Sequence, residues 1–266
     1  MEKMEKEEFQ QLVNEHRQLG ISKQEDYVKL SLYSLVTNST AMEGSTMTGN
    51  ENQMLFDEGI SVSGRSKDEQ MMNIDLVHAY EQGIRLARGH CDFSIDMLKG
   101  LSAWVMRNVG AIHSVADGEN EKGGTLVASV GSKLDKINMR VSMKLKDFCH
   151  KINERRKELM EKGNKWEEYM LSFDAHYWLI ALHPWTDGNG RMSRLIMNYL
   201  QFEFGLLPTI VNKEHREAYV RSMEESKEQD SLEPFRNFMI KEHAEYMKNE
   251  IDTFKKYKAY NPLLAS

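Results

Sequence analysis

Proline is scarce in this chain of 266 residues, with only 4 present. That scarcity removes the commonest internal helix breaker and favours long helices. Cysteine is scarcer still: Cys91 and Cys149 are the only two, neither in a CxxC pair nor beside a patterned histidine cluster. This argues against a disulfide framework and a zinc module, and both thiols are expected to be reduced. Net positive charge is missing as well. At a formal charge of -6, the chain lacks the basic surplus that general binding to phosphate backbones requires. Neither end offers a basic winged or helix-turn-helix segment, so nucleic acid is not an expected partner. No apolar run approaches the roughly 20 residues that cross a bilayer, and Met1 to Lys6 is charged where a signal peptide would be apolar. No membrane partner is expected, and the expected location is cytoplasmic.

What is present suits a soluble helical protein, at 40% hydrophobic and 29% charged residues. Apolar residues recur at helical spacing through about Glu7 to Leu19, Lys23 to Thr37, Asp68 to Arg88 and Ser94 to Val109. The pattern slackens at Thr37-Asn38-Ser39-Thr40, after which Ala41-Met42-Glu43 reads as an added turn closed by Gly44. Between Ser114 and Asn138 the glycines 118, 123, 124 and 131 surround a β-prone Thr125-Leu126-Val127, which reads as a small hairpin or flap. Helical spacing resumes over Ser142 to Glu161, where Arg155, Arg156 and Lys157 read as a solvated face. Further helices follow over Trp166 to Leu182, Met192 to Leu206, His215 to Ser226 and Leu232 to Phe254. The 18 methionines are scattered as gap-fillers.

One stretch carries chemistry: His183-Pro184-Trp185-Thr186-Asp187-Gly188-Asn189-Gly190-Arg191-Met192-Ser193-Arg194. It reads as a glycine turn feeding a helix. Gly188 and Gly190 let the backbone turn and present N–H groups, and the helix N-terminus favours an anion. Arg191 and Arg194 are three apart and share a helical face as cationic clamps. Asp187 is a hard oxygen ligand suited to Mg²⁺, and His183 can take a proton near neutral pH. His176 lies seven residues before His183, yet no third ligand has metal spacing, so it reads as a core histidine.

This stretch resembles the signature of the Fic family, His-x-Phe-x-Asp/Glu-Gly-Asn-Gly/Lys-Arg-x-x-Arg, with Trp185 in place of the usual Phe. The substitution is expected to alter packing and not chemistry. Ser39-Thr40-Ala41-Met42-Glu43-Gly44 is similar to the inhibitory motif of the family class that carries its inhibitory helix at the N-terminus. The resemblance implies an all-α fold with a small β-hairpin flap, the flap falling within about Asp117 to Arg140. It implies three regions: 1–89 with the inhibitory helix at about 37–44, a catalytic core over 90–245, and a helix end and tail over 246–266. It further implies transfer of AMP from ATP to a Tyr, Thr or Ser hydroxyl of a protein. In that scheme His183 is the general base, and Asp187 holds Mg²⁺. Gly188, Asn189, Gly190, Arg191 and Arg194 bind the nucleotide phosphates, while Ser39 and Glu43 inhibit through Arg194.

The partners implied are a hydroxyl-bearing protein substrate, with self-modification and a homo-oligomer left open. Other readings stay open too. The loop would bind a diphosphate whichever group moves, so removal of AMP, or transfer of another phosphate-bearing group, fits equally. A nucleotide-sensing interaction module with little turnover is a reading of a different class, and the intact His183 counts against it.

Overall fold

The computed structural model describes residues 4, 6–109 and 135–260, with side chains from 141 onward in the last stretch. Ten α-helices make up the described chain, and no strand occurs among the described residues. The hairpin expected within Asp117 to Arg140 lies outside the described residues as far as 134. From Asp135 the chain is already helical, seven residues before the expected start.

The centre is an antiparallel helix pair, α7 (Lys165–Leu182) and α8 (Asn189–Glu203). Both helices are apolar beyond a single stripe because neighbours cover them on several sides. Helix α4 (Lys67–Arg88) and α5 (Ile95–Val105) pack on α8, and α6 (Asp135–Lys162) packs on α7. In α8, Leu195, Ile196, Met197, Tyr199 and Leu200 are all essentially inaccessible to solvent. Each such aliphatic side chain contributes about 1.5–3 kcal/mol from burial, which makes α8 the rigid element of the molecule. Helix α9 (Arg216–Glu228) and α10 (Glu233–Tyr260) complete the C-terminal side, α10 continuing beyond the expected Phe254. Against α10 lies α1 (Lys6–Gln18), which sends Phe9 into the ring cluster of Trp166 and Tyr169.

Polar side chains set the helix starts. Ser66, Ser94 and Asn164 accept from the N–H groups of Glu69, Met97 and Glu167, at 3.1, 3.1 and 3.3 Å. Thr48 and Glu51 form a reciprocal capping box that opens α3 (Gly49–Glu58).

Two local expectations need correction. Helix α2 runs unbroken over Tyr27–Met42, through the residues where the apolar pattern slackened. Its polar side chains are absorbed locally: Thr37 Oγ1 donates to the Tyr33 carbonyl at 2.7 Å, Asn38 Nδ2 to Ser34 at 3.0 Å and Thr40 Oγ1 to Val36 at 3.0 Å. Arg156 is the second case. It is 2% exposed instead of solvated, because Glu203 at the end of α8 receives its guanidinium, Nε to Oε2 at 2.7 Å. Arg155 and Lys157 do face solvent. Both cysteines are free, as expected.

Candidate active site

Helix α7 ends because Pro184 disfavours helical backbone in the residue before it. His183 accordingly turns into the left-handed region (φ 49°, ψ 59°), and its N–H closes the helix on the Leu179 carbonyl at 3.1 Å. A non-glycine residue there stores about 1–3 kcal/mol of strain, which the neighbouring loop must offset. It does so through Asn189. Trp185 is wholly buried; its N–H donates to Asn189 Oδ1 at 3.0 Å and its carbonyl accepts from Asn189 Nδ2 at 2.6 Å. Those two bonds fix which way the amide points. The remaining Asn189 hydrogen then reaches His183 Nε2, 3.1 Å away. With the amide oriented this way, Asn189 Nδ2 is the donor of that contact and His183 Nε2 the acceptor. Trp185 thus contributes its buried ring and its main-chain groups to the loop.

Gly188 caps α8 with φ 79°, a conformation that costs other residues energy, and a Cβ there would meet Met106 Sδ at 2.8 Å. The cap supplies no side chain, so the first N–H groups of α8 are left to be met from outside the helix. Asp187 precedes them. Its Oδ1 accepts from the Gly188 N–H at 2.6 Å, while the side chain is 67% exposed toward the opening. These groups line a cleft of about 230 Å³. His183, Asp187, Gly188, Asn189, Gly190 and Arg194 form one wall, Met42 of α2 and the following Glu43 another, and Arg216, Tyr219, Val220 and Met223 of α9 a third.

Glu43 follows the last turn of α2, and its Oε1 accepts from Arg194 Nη2 at 2.6 Å. The same oxygen lies 2.5 Å from where a Cβ on Gly190 would stand. A carboxylate therefore sits against the opening turn of α8, where the absence of a side chain makes room for it. Ser39, one turn earlier on α2, takes the rest of the guanidinium: Arg194 Nε donates to its Oγ at 2.8 Å and Nη2 to its carbonyl at 2.9 Å. Burial opposes the charge on Arg194, but Glu43, with smaller contributions from Tyr219 and Tyr80, outweighs it and the guanidinium is raised above its ordinary value.

Arg191 differs. It is 3% exposed and reaches only the Val105 carbonyl at 3.4 Å, Met106 Sδ at 3.1 Å and the exposed Asp187 at 3.5 Å. Its Nε is buried without a partner. Burial pushes this guanidinium down from its ordinary value, and the more distant acids only partly compensate.

All nine residues singled out in the sequence thus converge on this cleft or on the arginines behind it. Among the described residues, no group of three or more His, Cys, Asp or Glu side chains is poised for a metal. That is compatible with Mg²⁺ only in the form where one carboxylate, Asp187, and the substrate's own phosphates hold it. Sequence reasoning missed the α9 wall and the α5 end. Arg216, Tyr219, Val220 and Met223 do stand at helical spacing on one face, a usable signal, whereas nothing in the sequence marks Val105 or Met106 as neighbours of Arg191.

Residues 92–201 match the model of the Fic/DOC family. The protein adenylyltransferase Fic of Drosophila mojavensis is 26% identical over 213 residues, 79% of this chain and 39% of that protein. Its counterpart in Culex quinquefasciatus is 28% identical over 206 residues, 77% and 38% of the two chains. The chain therefore spans about two fifths of the length of these curated relatives. Among solved structures, Fic-1 from C. elegans superposes with a TM-score of 0.70 at 21% identity, covering 92% of this chain and 71% of that one. A Fic domain containing signaling protein from Bacteroides thetaiotaomicron superposes with a TM-score of 0.71 at 17% identity, covering 94% and 97%. These likenesses establish the fold.

Proposed function

We propose that this chain, whose residues 92–201 match the model of the Fic/DOC family, is a self-restrained protein adenylyltransferase. It would transfer AMP from ATP to a Tyr, Thr or Ser hydroxyl of a protein. The observation that carries this reading is the buried, under-satisfied Arg191 in the first turn of α8, behind the cleft that His183, Asp187 and Arg194 line. A site with those features is short of an anion and supplied with a base.

In this reading His183 Nε2 exchanges the Asn189 amide for the target hydroxyl and takes its proton. The freed oxygen attacks the α-phosphorus, the bond from that phosphorus to the bridging oxygen breaks, and pyrophosphate leaves. N–H groups of Gly188, Asn189 and Gly190 and the Arg191 guanidinium face the oxygens that gain charge, so stabilisation is concentrated in the transition state. Mg²⁺, bound by Asp187 and the phosphates, would neutralise charge on the leaving group. Arg194 would hold the terminal phosphate. It cannot do so while Glu43 occupies it, so inhibition is competition between a carboxylate on α2 and a phosphate for one guanidinium.

A second reading has one specific support. Glu43 faces the same cleft as His183, where a carboxylate could orient water to remove AMP from a modified target. Mass spectrometry of a lysate incubated with the Glu43→Gly protein and ATP distinguishes the two. Proteins gaining one AMP support transfer; AMP lost from modified proteins supports removal, as does wild-type activity exceeding that of the variant. A different added mass would replace the transferred group.

A further inference from the structure

Asp75 is a buried carboxylate that the scheme above does not use. It stands on α4, inaccessible to solvent, and its hydrogen-bond partners are all N–H groups of the turn that follows α5. Oδ2 accepts from the main-chain N–H groups of Asn108 at 2.6 Å and Val109 at 3.3 Å, and Oδ1 accepts from Asn108 Nδ2 at 2.5 Å. Both oxygens accept, which an ionised carboxylate offers and an amide does not. Burial pushes the carboxyl above its ordinary value, and these three donors, with the charge of Arg191, oppose the push.

The same short stretch is held from α8. Arg191 Nη1 donates to the Val105 carbonyl at 3.4 Å, and Nη2 reaches Met106 Sδ at 3.1 Å. Residues 105–109 therefore run from a buried cation on α8 to a buried anion on α4, two helices that also pack on each other. Helix α5 ends at Val105 with Met106 as its cap, and the Arg107 N–H reaches back to the Trp104 carbonyl at 3.3 Å. The next two N–H groups, of Asn108 and Val109, have Asp75 as their acceptor. Little slack exists toward the loop. Met106 is 3% exposed, and a Cβ on Gly188 would stand 2.8 Å from its sulphur and 3.6 Å from Val105 Cγ1. In so closely packed a place, a shift of this stretch is transmitted to Gly188 and Arg191.

We propose that Asp75 is a positioning residue: by pinning the turn after α5 to α4, it holds Val105 and Met106 where they seat Arg191 and support the glycine turn. This rests on the reading of Arg191 as a group that stabilises the nucleotide phosphates. Asp75 touches neither nucleotide nor target in that scheme, so its influence on the reaction passes through Arg191.

The test uses the full chain in a Glu43→Gly background. Asp75→Asn keeps the side-chain volume but turns an NH2 group toward N–H donors, and it should lower kcat/KM for ATP about tenfold, the scale of a hydrogen bond to a charged group. Asn108→Ala, at an exposed position, removes only the side-chain bond and should lower it about threefold. Both losses should shrink to less than about twofold when Arg191→Met is also present, because a residue acting through Arg191 then has nothing to act on. A cap with a purely structural role costs the same in both backgrounds. Losses of equal size with and without Arg191 therefore overturn the proposal, as does unchanged kcat/KM in Asp75→Asn. Should Asp75→Asn not fold, the Asn108→Ala cycle decides alone. If Glu43→Gly itself does not turn over ATP, the function proposed above fails, and crystal structures without nucleotide decide the positioning claim. A displaced 105–109 stretch with Arg191 moved in Asp75→Asn or Asn108→Ala sustains it; the parent arrangement in both overturns it.

Discussion

The two ends of α8 treat buried charge in opposite ways. At the C-terminal end, Glu203 is wholly buried, but Arg156 meets both carboxylate oxygens and is itself held by Asn153 Oδ1 at 2.8 Å. Every charge there is answered from within the fold. At the N-terminal end, Arg191 is just as buried and holds only a carbonyl, a thioether and an exposed carboxylate, all at long or soft contacts. Arg194 is answered, but by Glu43, a residue just past the end of α2 that is about one-third exposed. A closed buried ion pair supports structure; an open buried cation at a helix N-terminus supports binding. Within one helix the comparison separates the scaffold from the site.

The largest effect should come from removing the base. His183→Ala should lower transfer by about 10² to 10⁴, in the range of general-base catalysis, while ATP binding measured by calorimetry persists. Retained transfer would remove His183 from that role. Next comes the closed end. Glu203→Ala leaves Arg156 buried and unpaired and should cost about 3–5 kcal/mol in urea unfolding. Arg191→Met is the sharpest contrast, since it removes a buried cation that lacks a full set of partners. Its stability should fall by less than about 1.5 kcal/mol or rise, while ATP affinity drops at least about tenfold. If Arg191→Met unfolds the protein as Glu203→Ala does, the distinction between the two ends collapses.

The smallest effect lies at the surface, between the turn preceding α9 and α10. The His215 Nδ1 bond to Glu242 at 2.7 Å raises the imidazole above its ordinary 6.5. The stabilisation from that raised value is fully present below pH 6.5 and fades as pH climbs through it. His215→Gln should flatten this part of the profile of Tm against pH, by less than about 0.5 kcal/mol given the exposure of the ring.

Much of the site was legible because its parts are contiguous. The turn, the base, the acid and both arginines fall within twelve residues, and Glu43 announced itself by its spacing from Ser39. Helical periodicity also located α4, α5, α7 and α8. What the sequence concealed is tertiary in origin. Arg156 sits among charged neighbours and reads as solvated, and only the packing of α6 on the end of α8 buries it. The unbroken α2 depends on Thr37, Asn38 and Thr40 bonding back to their own helix, where their residue types favour turns. Likewise, the difference between Arg191 and Arg194 depends on which distant elements reach them.

The central claim is that Glu43 and a phosphate compete for Arg194, and that AMP is what moves when the phosphate wins. Wild type and Glu43→Gly, incubated in parallel with α-³²P-ATP and γ-³²P-ATP, test it directly. The account predicts at least about tenfold more protein-bound α label in the variant, the scale of a charged hydrogen bond regained by the substrate, and no γ label in either. Equal α labelling of the two proteins, or label arriving from the γ position, would contradict it.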